Sequence, residues 1–308
     1  MHLLTLQDLS AQEIENLIDL GLQFAIDGIP HNDDFKQDVV GIYFRGNSTR
    51  TRTSFATAAL KLGAQIIQYG PNDLQINTGE NASDTAKVLS EYLSAFVVRT
   101  NDADQELADF ASQDKMSVIN AMSETEHPTQ AIADMISIKE AFGTLVDKHL
   151  LYLGEGNNSA AALAYMMARL PGMKLSLFTP KGYGLAPEIL QKAQETAAQN
   201  GSEITEHHNI DELPTEVDIV YTTRWETMGV QHADEKWKDN FWPFQVNKSL
   251  MEKVSKADGQ TYFMHDLPAI REQDVTNEIL DGPQSIAFRQ AGHKLSAAAA
   301  ILYTVLKR

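Results

Sequence analysis

Cysteine is missing from all 308 residues, so disulfides and thiolate chemistry are excluded, a composition that suits a reducing compartment. Basic charge is scarce: 25 Lys and Arg stand against 42 Asp and Glu, for a formal net charge of -17. A field of that sign repels a nucleic-acid backbone, so a phosphate ligand is expected to be small and enclosed by local arginines. No apolar run approaches the roughly 20 residues of a membrane span. The opening Met1-His2-Leu3-Leu4-Thr5-Leu6-Gln7-Asp8 lacks the basic and apolar regions of a signal peptide. A cytoplasmic location, with neither membrane nor nucleic acid as partner, is the expectation. Internal repeats and low-complexity tracts are absent too, and the length suits two domains of roughly 100 to 150 residues each.

Against this background one stretch carries dense chemistry, Ser48-Thr49-Arg50-Thr51-Arg52. Before it, Val39-Val40-Gly41-Ile42-Tyr43-Phe44 is a β-branched and aromatic run that predicts a strand, followed by a turn at Arg45-Gly46-Asn47. After it, Ser54 to Leu62 predicts a helix closed by Gly63. The first amides of a helix are unpaired and carry partial positive charge, so an anion placed there gains hydrogen bonds and field together. Two hydroxyl-arginine pairs at that point predict a phosphate cradle. The plainer alternative is that Ser48 only caps the helix and the arginines lie in solvent.

Other strands are predicted at Gln65–Tyr69, Ala95–Arg99 and Ser117–Asn120, with helices between them and a polar loop, read as mobile, from Gly70 to Ser83. Ser10 with Glu13 predicts a capped helix near the start, and His127–Phe142 a long helix joining two halves. In the second half, strands are predicted at His149–Leu153, Lys174–Phe178 and Asp218–Tyr221, and an apolar helix at Ala291–Leu306. Alternation of strands and helices implies α/β architecture, two doubly wound parallel-sheet domains joined by long helices, with sites at the carboxyl ends of the strands. The turn Gly154-Glu155-Gly156-Asn157-Asn158-Ser159 is similar to a dinucleotide fingerprint, but Ser159 stands where the third glycine belongs and no acidic residue clearly closes the next strand.

Arg99 ends a predicted strand, and His127-Pro128-Thr129-Gln130 opens a predicted helix, with Gln130 one turn along the face from His127. On one parallel sheet, Arg50, Thr51, Arg99, His127 and Gln130 share an edge. Alone, a histidine in this place is more often a cap or surface residue than a catalyst.

In this order and spacing these segments resemble the carbamoyl phosphate site of the aspartate and ornithine carbamoyltransferase family. Asp84-Thr85-Ala86, Gly156-Asn157-Asn158, Thr227-Met228-Gly229 and His265-Asp266-Leu267-Pro268-Ala269 extend the resemblance over nearly the whole chain. It implies a carbamoyl-phosphate-binding domain at 1–143 plus a C-terminal helix at 290–308, and an acceptor-binding domain at 144–289. By the same resemblance Ser48, Thr49, Arg50 and Thr51 bind phosphate, Arg99, His127 and Thr51 hydrogen-bond the carbonyl oxygen, and Gln130 holds the carbamoyl amide. No metal or organic cofactor is implied. Gln75 matches the ornithine-type loop glutamine that reaches a neighbouring subunit's site, which implies a homotrimer. Asn158, Thr223, Arg224, Thr227, Met228, Asp266, Leu267 and Lys294 fall at acceptor-binding positions, and Leu267-Pro268 is expected to be cis.

The acceptor motifs depart from the family. Ornithine enzymes carry cysteine where Asp266 stands and aspartate where Thr223 stands, and Lys294 replaces a late arginine. Asp266 can still receive an ammonium group, and Arg224 falls where aspartate-type enzymes grip a carboxylate. The alternative for both is an internal ion pair, Asp266 with Arg224 or with Arg271. The expected function is carbamoyl transfer from carbamoyl phosphate to the amine of a small amino-acid-like acceptor. Ornithine carbamoyltransferase proper, a non-catalytic carbamoyl-phosphate-binding paralogue and a nicotinamide oxidoreductase are the competing readings.

Overall fold

The computed structural model describes residues 1–100, 104–226 and 236–307. Two compact units divide the chain: Met1–Ile136 with the segment from Gly292 onward, and Ser137–Ala291. Both divisions fall inside helices.

In the first half the elements run α1 (Ala11–Asp27), β1 (Val39–Phe44), α2 (Arg50–Leu62), β2 (Gln65–Tyr69), α3 (Ala82–Leu89), β3 (Ala95–Arg99), α4 (Gln105–Phe110), β4 (Ser117–Met122) and α5 (Pro128–Phe142). The strands form one parallel sheet in the order β2-β1-β3-β4. Central β1 and β3 are buried almost throughout and apolar up to Arg99 because helices cover both faces of such a sheet, whereas edge strand β2, Gln65-Ile66-Ile67-Gln68-Tyr69, carries two glutamines and stays largely exposed. Tyr43, Phe96 and Phe110 pack edge-on or stacked in its core. Ser10 and Glu13 form a complete capping box on α1, and Gly63 ends α2 in the left-handed conformation that glycine adopts without strain.

In the second half follow β5 (His149–Leu153), α6 (Asn158–Met167), β6 (Lys174–Phe178), α7 (Pro187–Asn200), β7 (Glu203–His207), β8 (Ile219–Thr222), α8 (Lys248–Val254), β9 (Tyr262–His265), α9 (Asn277–Leu280) and α10 (Ala287–Leu306). Their sheet is parallel in the order β7-β6-β5-β8-β9. The α/β expectation of two parallel sheets holds.

Each sheet reverses its direction of winding once. In the first, the chain leaves β1 toward β2 and returns to place β3 on the other side. In the second, it leaves β5 toward β6 and β7 and returns at β8. At such a switch point adjacent loops diverge and leave a crevice beyond the strand ends, where ligands of open α/β sheets bind.

Candidate functional site

At the first switch point the loop after β1 meets the end of β3. Phe44 pairs with Arg99, and the Arg45 amide donates to the Arg99 carbonyl at 3.0 Å. Between Val98 and Arg99 the register with β4 slips, so that Arg99 opposes Met122, and the Met122 amide donates instead to Asn120 Oδ1 at 3.0 Å. A bulge of this kind re-aims a side chain at a strand end. The Arg99 guanidinium, only 4% exposed, donates through Nη1 to Ser48 Oγ at 3.3 Å.

Helix α2 begins at Arg50, with Thr49 as its N-cap residue and no side-chain cap bond. Ser48 therefore does not cap the helix, and its hydroxyl faces Arg99 instead. Ser48, Thr49, Arg50 and Thr51 thus lie together at the N-terminus of α2, where the Ser48 hydroxyl meets Arg99 and a helix carries partial positive charge. Arg52 turns away from this group, and its Nε donates to Gln68 Oε1 at 2.8 Å on the exposed edge beside β2.

His127 lies just before α5, 5% exposed, with Nδ1 3.3 Å from Thr129 Oγ1. Burial pushes its pKa well below the ordinary histidine value, and the positive charges of Lys294 and Arg99 push it the same way. A neutral imidazole presents one N–H donor, suited to an oxygen that gains negative charge. Gln130 is 1% exposed; its Nε2 donates to Asp134 Oδ1 at 2.7 Å, one turn along α5, while Lys294 Nζ donates to its Oε1. Lys294, expected among the acceptor residues, is thus placed in the first unit beside Gln130. Gln75 begins a short 3-10 turn on the surface loop after β2, where Thr78 Oγ1 donates to its Oε1 at 2.8 Å. That loop is tied by its own bonds, Gly70 N to Asp73 and Asn77 to the Pro71 carbonyl, and anchored by buried Leu74.

At the second switch point the ends of β5 and β8 lie side by side, with the end of β9 next to β8. Asn157 caps α6 by accepting from the Ser159 and Ala160 amides, which puts Asn158 in the first helical turn, largely buried. The Asp266 carboxylate accepts from Thr223 Oγ1 and from Ser159 Oγ, each at 2.9 Å. Behind it, His265 is fully buried, with Nε2 3.1 Å from Asp274 Oδ2 and Nδ1 accepting the Leu267 amide at 2.9 Å. Burial opposes a charge on His265, hydrogen bonding to Asp266 and Asp274 favours one, and the balance lies upward. The Leu267 amide nonetheless occupies the Nδ1 lone pair, so the tautomer protonated on Nε2 satisfies the close contacts. Leu267 has a left-handed φ of 52°, and the Leu267-Pro268 bond is cis.

Among the described residues neither alternative ion pair of Asp266 forms. Arg224 donates to Glu226 at 3.0 Å, and Arg271 makes a bidentate pair with Asp281 at 2.6 and 2.9 Å. Thr227 and Met228 lie outside the described residues. Three contributors escaped the sequence reading. Asp134 carried a usable signal, since it lies four residues from Gln130 on one helix face. Ser159 registered only as a lost glycine, and Asp274 gave no signal, because the turn that folds it back onto His265 is not periodic.

Residues 1–140 match the family description "Aspartate/ornithine carbamoyltransferase, carbamoyl-P binding domain", and residues 146–305 match "Aspartate/ornithine carbamoyltransferase, Asp/Orn binding domain". An ornithine carbamoyltransferase of Bacillus cereus is 40% identical over 309 residues, covering 99% of this chain and 94% of that protein. One from Bacillus anthracis is 39% identical over 309 residues, with 99% and 94% covered. The solved structure of ornithine carbamoyltransferase from Pyrococcus furiosus has a TM-score of 0.92 at 35% identity, covering 99% of this chain and 97% of that one. For ornithine transcarbamoylase from Giardia lamblia the TM-score is 0.88 at 28% identity, with 99% and 97% covered. Agreement in sequence and fold over both halves means that this chain is a carbamoyltransferase and belongs to the aspartate/ornithine carbamoyltransferase family.

Proposed function

We propose that the protein transfers the carbamoyl group of carbamoyl phosphate to the side-chain amine of ornithine, releasing phosphate. The observation that carries this reading is the convergence of the α2 N-terminus, Ser48, Arg99 and a neutral buried His127 at one sheet edge. Full-length likeness to proteins named ornithine carbamoyltransferase supports the acceptor.

Ser48, Thr49, Arg50 and Thr51 take the phosphate oxygens, where helix amides and guanidinium charge offset the ligand's desolvation. Arg99, Thr51 and His127 donate to the carbamoyl oxygen. Gln130, oriented by Asp134 and Lys294, takes the carbamoyl amide. The neutral acceptor amine attacks the carbonyl carbon, charge builds on the oxygen facing these donors, and collapse breaks the bond to phosphate, which leaves with the electron pair and takes the proton that the nitrogen gives up. Phosphate is a good leaving group, so positioning and electrostatics supply the acceleration. Asp266, Asn158, Thr223, Arg224, Thr227, Met228 and Leu267 are proposed as the acceptor's surroundings. The active form is proposed to be a homotrimer in which the Gln75 loop reaches a neighbouring subunit's carbamoyl phosphate.

The purified protein is incubated with carbamoyl phosphate and, separately, ornithine, putrescine, aspartate and acylated diamines. Phosphate release above the hydrolysis blank, greatest with ornithine, is expected. Release greatest with another amine would move the acceptor, and silence with all of them would remove catalysis on this class.

A further inference from the structure

Ser159 is the residue that the dinucleotide-like turn leaves unexplained. It sits in the first turn of α6, 3% exposed, and its hydroxyl spans to the end of β9 to reach Asp266 Oδ2 at 2.9 Å. From the end of β8, Thr223, also 3% exposed, reaches Asp266 Oδ1 at the same distance. Two buried hydroxyls on separate elements thus grip both oxygens of one carboxylate, whose own side chain keeps 14% exposure. A hydroxyl has a single proton, and here each proton points at a carboxylate oxygen. Oδ1 also lies 3.5 Å from His265 Nδ1, and a carboxylate offers about four lone-pair sites in all.

We propose that Ser159 and Thr223 are positioning residues that clamp Asp266 as the receiver of the acceptor's spectator ammonium group, the α-ammonium in the case of ornithine. This deepens the function proposed above and rests on it. Fixing the carboxylate plane before the ligand arrives removes the rotational freedom that an ammonium would otherwise have to freeze out on binding. It also sets the class of acceptor: an amine with a second, cationic group is accepted, and one whose second group is a carboxylate meets like charge at Asp266. The serine in place of a glycine has its explanation here, because only a side chain with a donor makes this contact.

The test is a double-mutant cycle of Ser159→Ala and Asp266→Asn, with Thr223→Val as a second arm, each read by acceptor KM, carbamoyl phosphate KM and kcat, with ornithine as probe. Loss of a hydrogen bond to a charged group predicts an increase in ornithine KM of about 10-fold for Ser159→Ala. Asp266→Asn is expected to raise it about 100-fold. The rise falls on ornithine and not on the carbamoyl phosphate KM, and Ser159→Ala adds nothing once Asp266 is asparagine. A general packing role for Ser159 would cost the same in both backgrounds, and that result would overturn the clamp, as would an ornithine KM unchanged by Ser159→Ala. If the wild type turns over no amine, the proposed function falls, and the same cycle is read as ornithine binding by calorimetry with carbamoyl phosphate present. Coupled losses in binding then sustain the clamp alone, and absence of ornithine binding by the wild type overturns it.

Discussion

Arg50 begins α2, at the helix N-terminus proposed to take the phosphate, and its charge is assigned to that phosphate. Arg50→Ala is expected to lower kcat/KM by about 2 to 5 kcal/mol in transition-state terms, the cost of a lost charge-assisted contact in a desolvated site. The far-UV spectrum and melting temperature should stay near wild type, and unaltered kinetics would show the cradle to be misassigned. His127 makes a different prediction, because its pKa in the folded chain lies well below the ordinary histidine value that it regains on unfolding. The unfolded chain therefore binds the proton more readily near pH 6, and stability contributed by neutral His127 is full above the unfolded value and falls as pH drops below it. Ring NMR signals of His127 should stay in the neutral form from pH 8 to about 6, where an ordinary histidine is already about three-quarters protonated. A midpoint near 6.5 in that titration would contradict the burial argument. At this scale the sequence was most legible where residue types are chemically specific: Arg99 and His127 announced themselves by their places at the end of β3 and the start of α5. It was least legible where one side chain's role depends on another far along the chain. Lys294 reaches Gln130 across 164 positions and Ser159 reaches Asp266 across 107, and no local pattern encodes either.

Strands β1, β2, β3, β4, β5, β6 and β8 were readable from the sequence because each carries β-branched or aromatic residues in a short apolar run. Strands β7 and β9 were not, the first because Glu203-Ile204-Thr205-Glu206-His207 is mostly polar at the sheet edge, and the second because Tyr262-Phe263-Met264-His265 holds no β-branched residue. The bulge that turns Arg99 was equally hidden, since it arises from pairing between two strands. Turn geometry was only half legible: Gly156 stood out as part of a glycine pattern, but its reason is contact, not freedom of φ. A Cβ placed there would lie 2.3 Å from both the Gly184 carbonyl carbon and the Leu185 amide nitrogen. Backbone atoms cannot rotate away as a side chain would, so Gly156→Ala is expected to destabilise by about 1 to 3 kcal/mol and to shift the loop that carries Asn158. A Cβ on Gly292, inside α10, would meet nothing within 4 Å. Gly292→Ala should therefore stabilise by about 0.4 to 1 kcal/mol, through helix propensity and a less entropic unfolded chain. Urea midpoints for the two variants should move in opposite directions. A Gly156→Ala midpoint at or above wild type would show that the turn has room to relax.

For the whole molecule, the α/β class followed from alternation of strands and helices, and the acidic balance already argued for a small anion over a polyanion. A net charge of -17 also means that copies of this chain repel at long range. Assembly then has to rest on short-range contacts, and salt, by screening the repulsion, should favour it. Light scattering in 0.15 M salt is expected to give about three times the 34.1 kDa chain mass, with dissociation more evident as salt is lowered. The proposed trimer also has its sites shared through Gln75, a stricter claim than mass. Gln75 occupies an exposed loop tied by its own hydrogen bonds, whereas Arg50 opens α2 at the switch point of the sheet. If each carbamoyl phosphate site takes its cradle from one subunit and its Gln75 from the next, Arg50→Ala and Gln75→Ala disable different halves of a shared site. Mixed after reversible dissociation, the two inactive variants should form hybrids in which some sites receive Arg50 and Gln75 intact from two different subunits. Random reassembly of equal amounts predicts recovery of about a quarter of wild-type activity. A mixture as silent as its parents, or a Gln75→Ala variant with full activity of its own, would confine each site to a single chain.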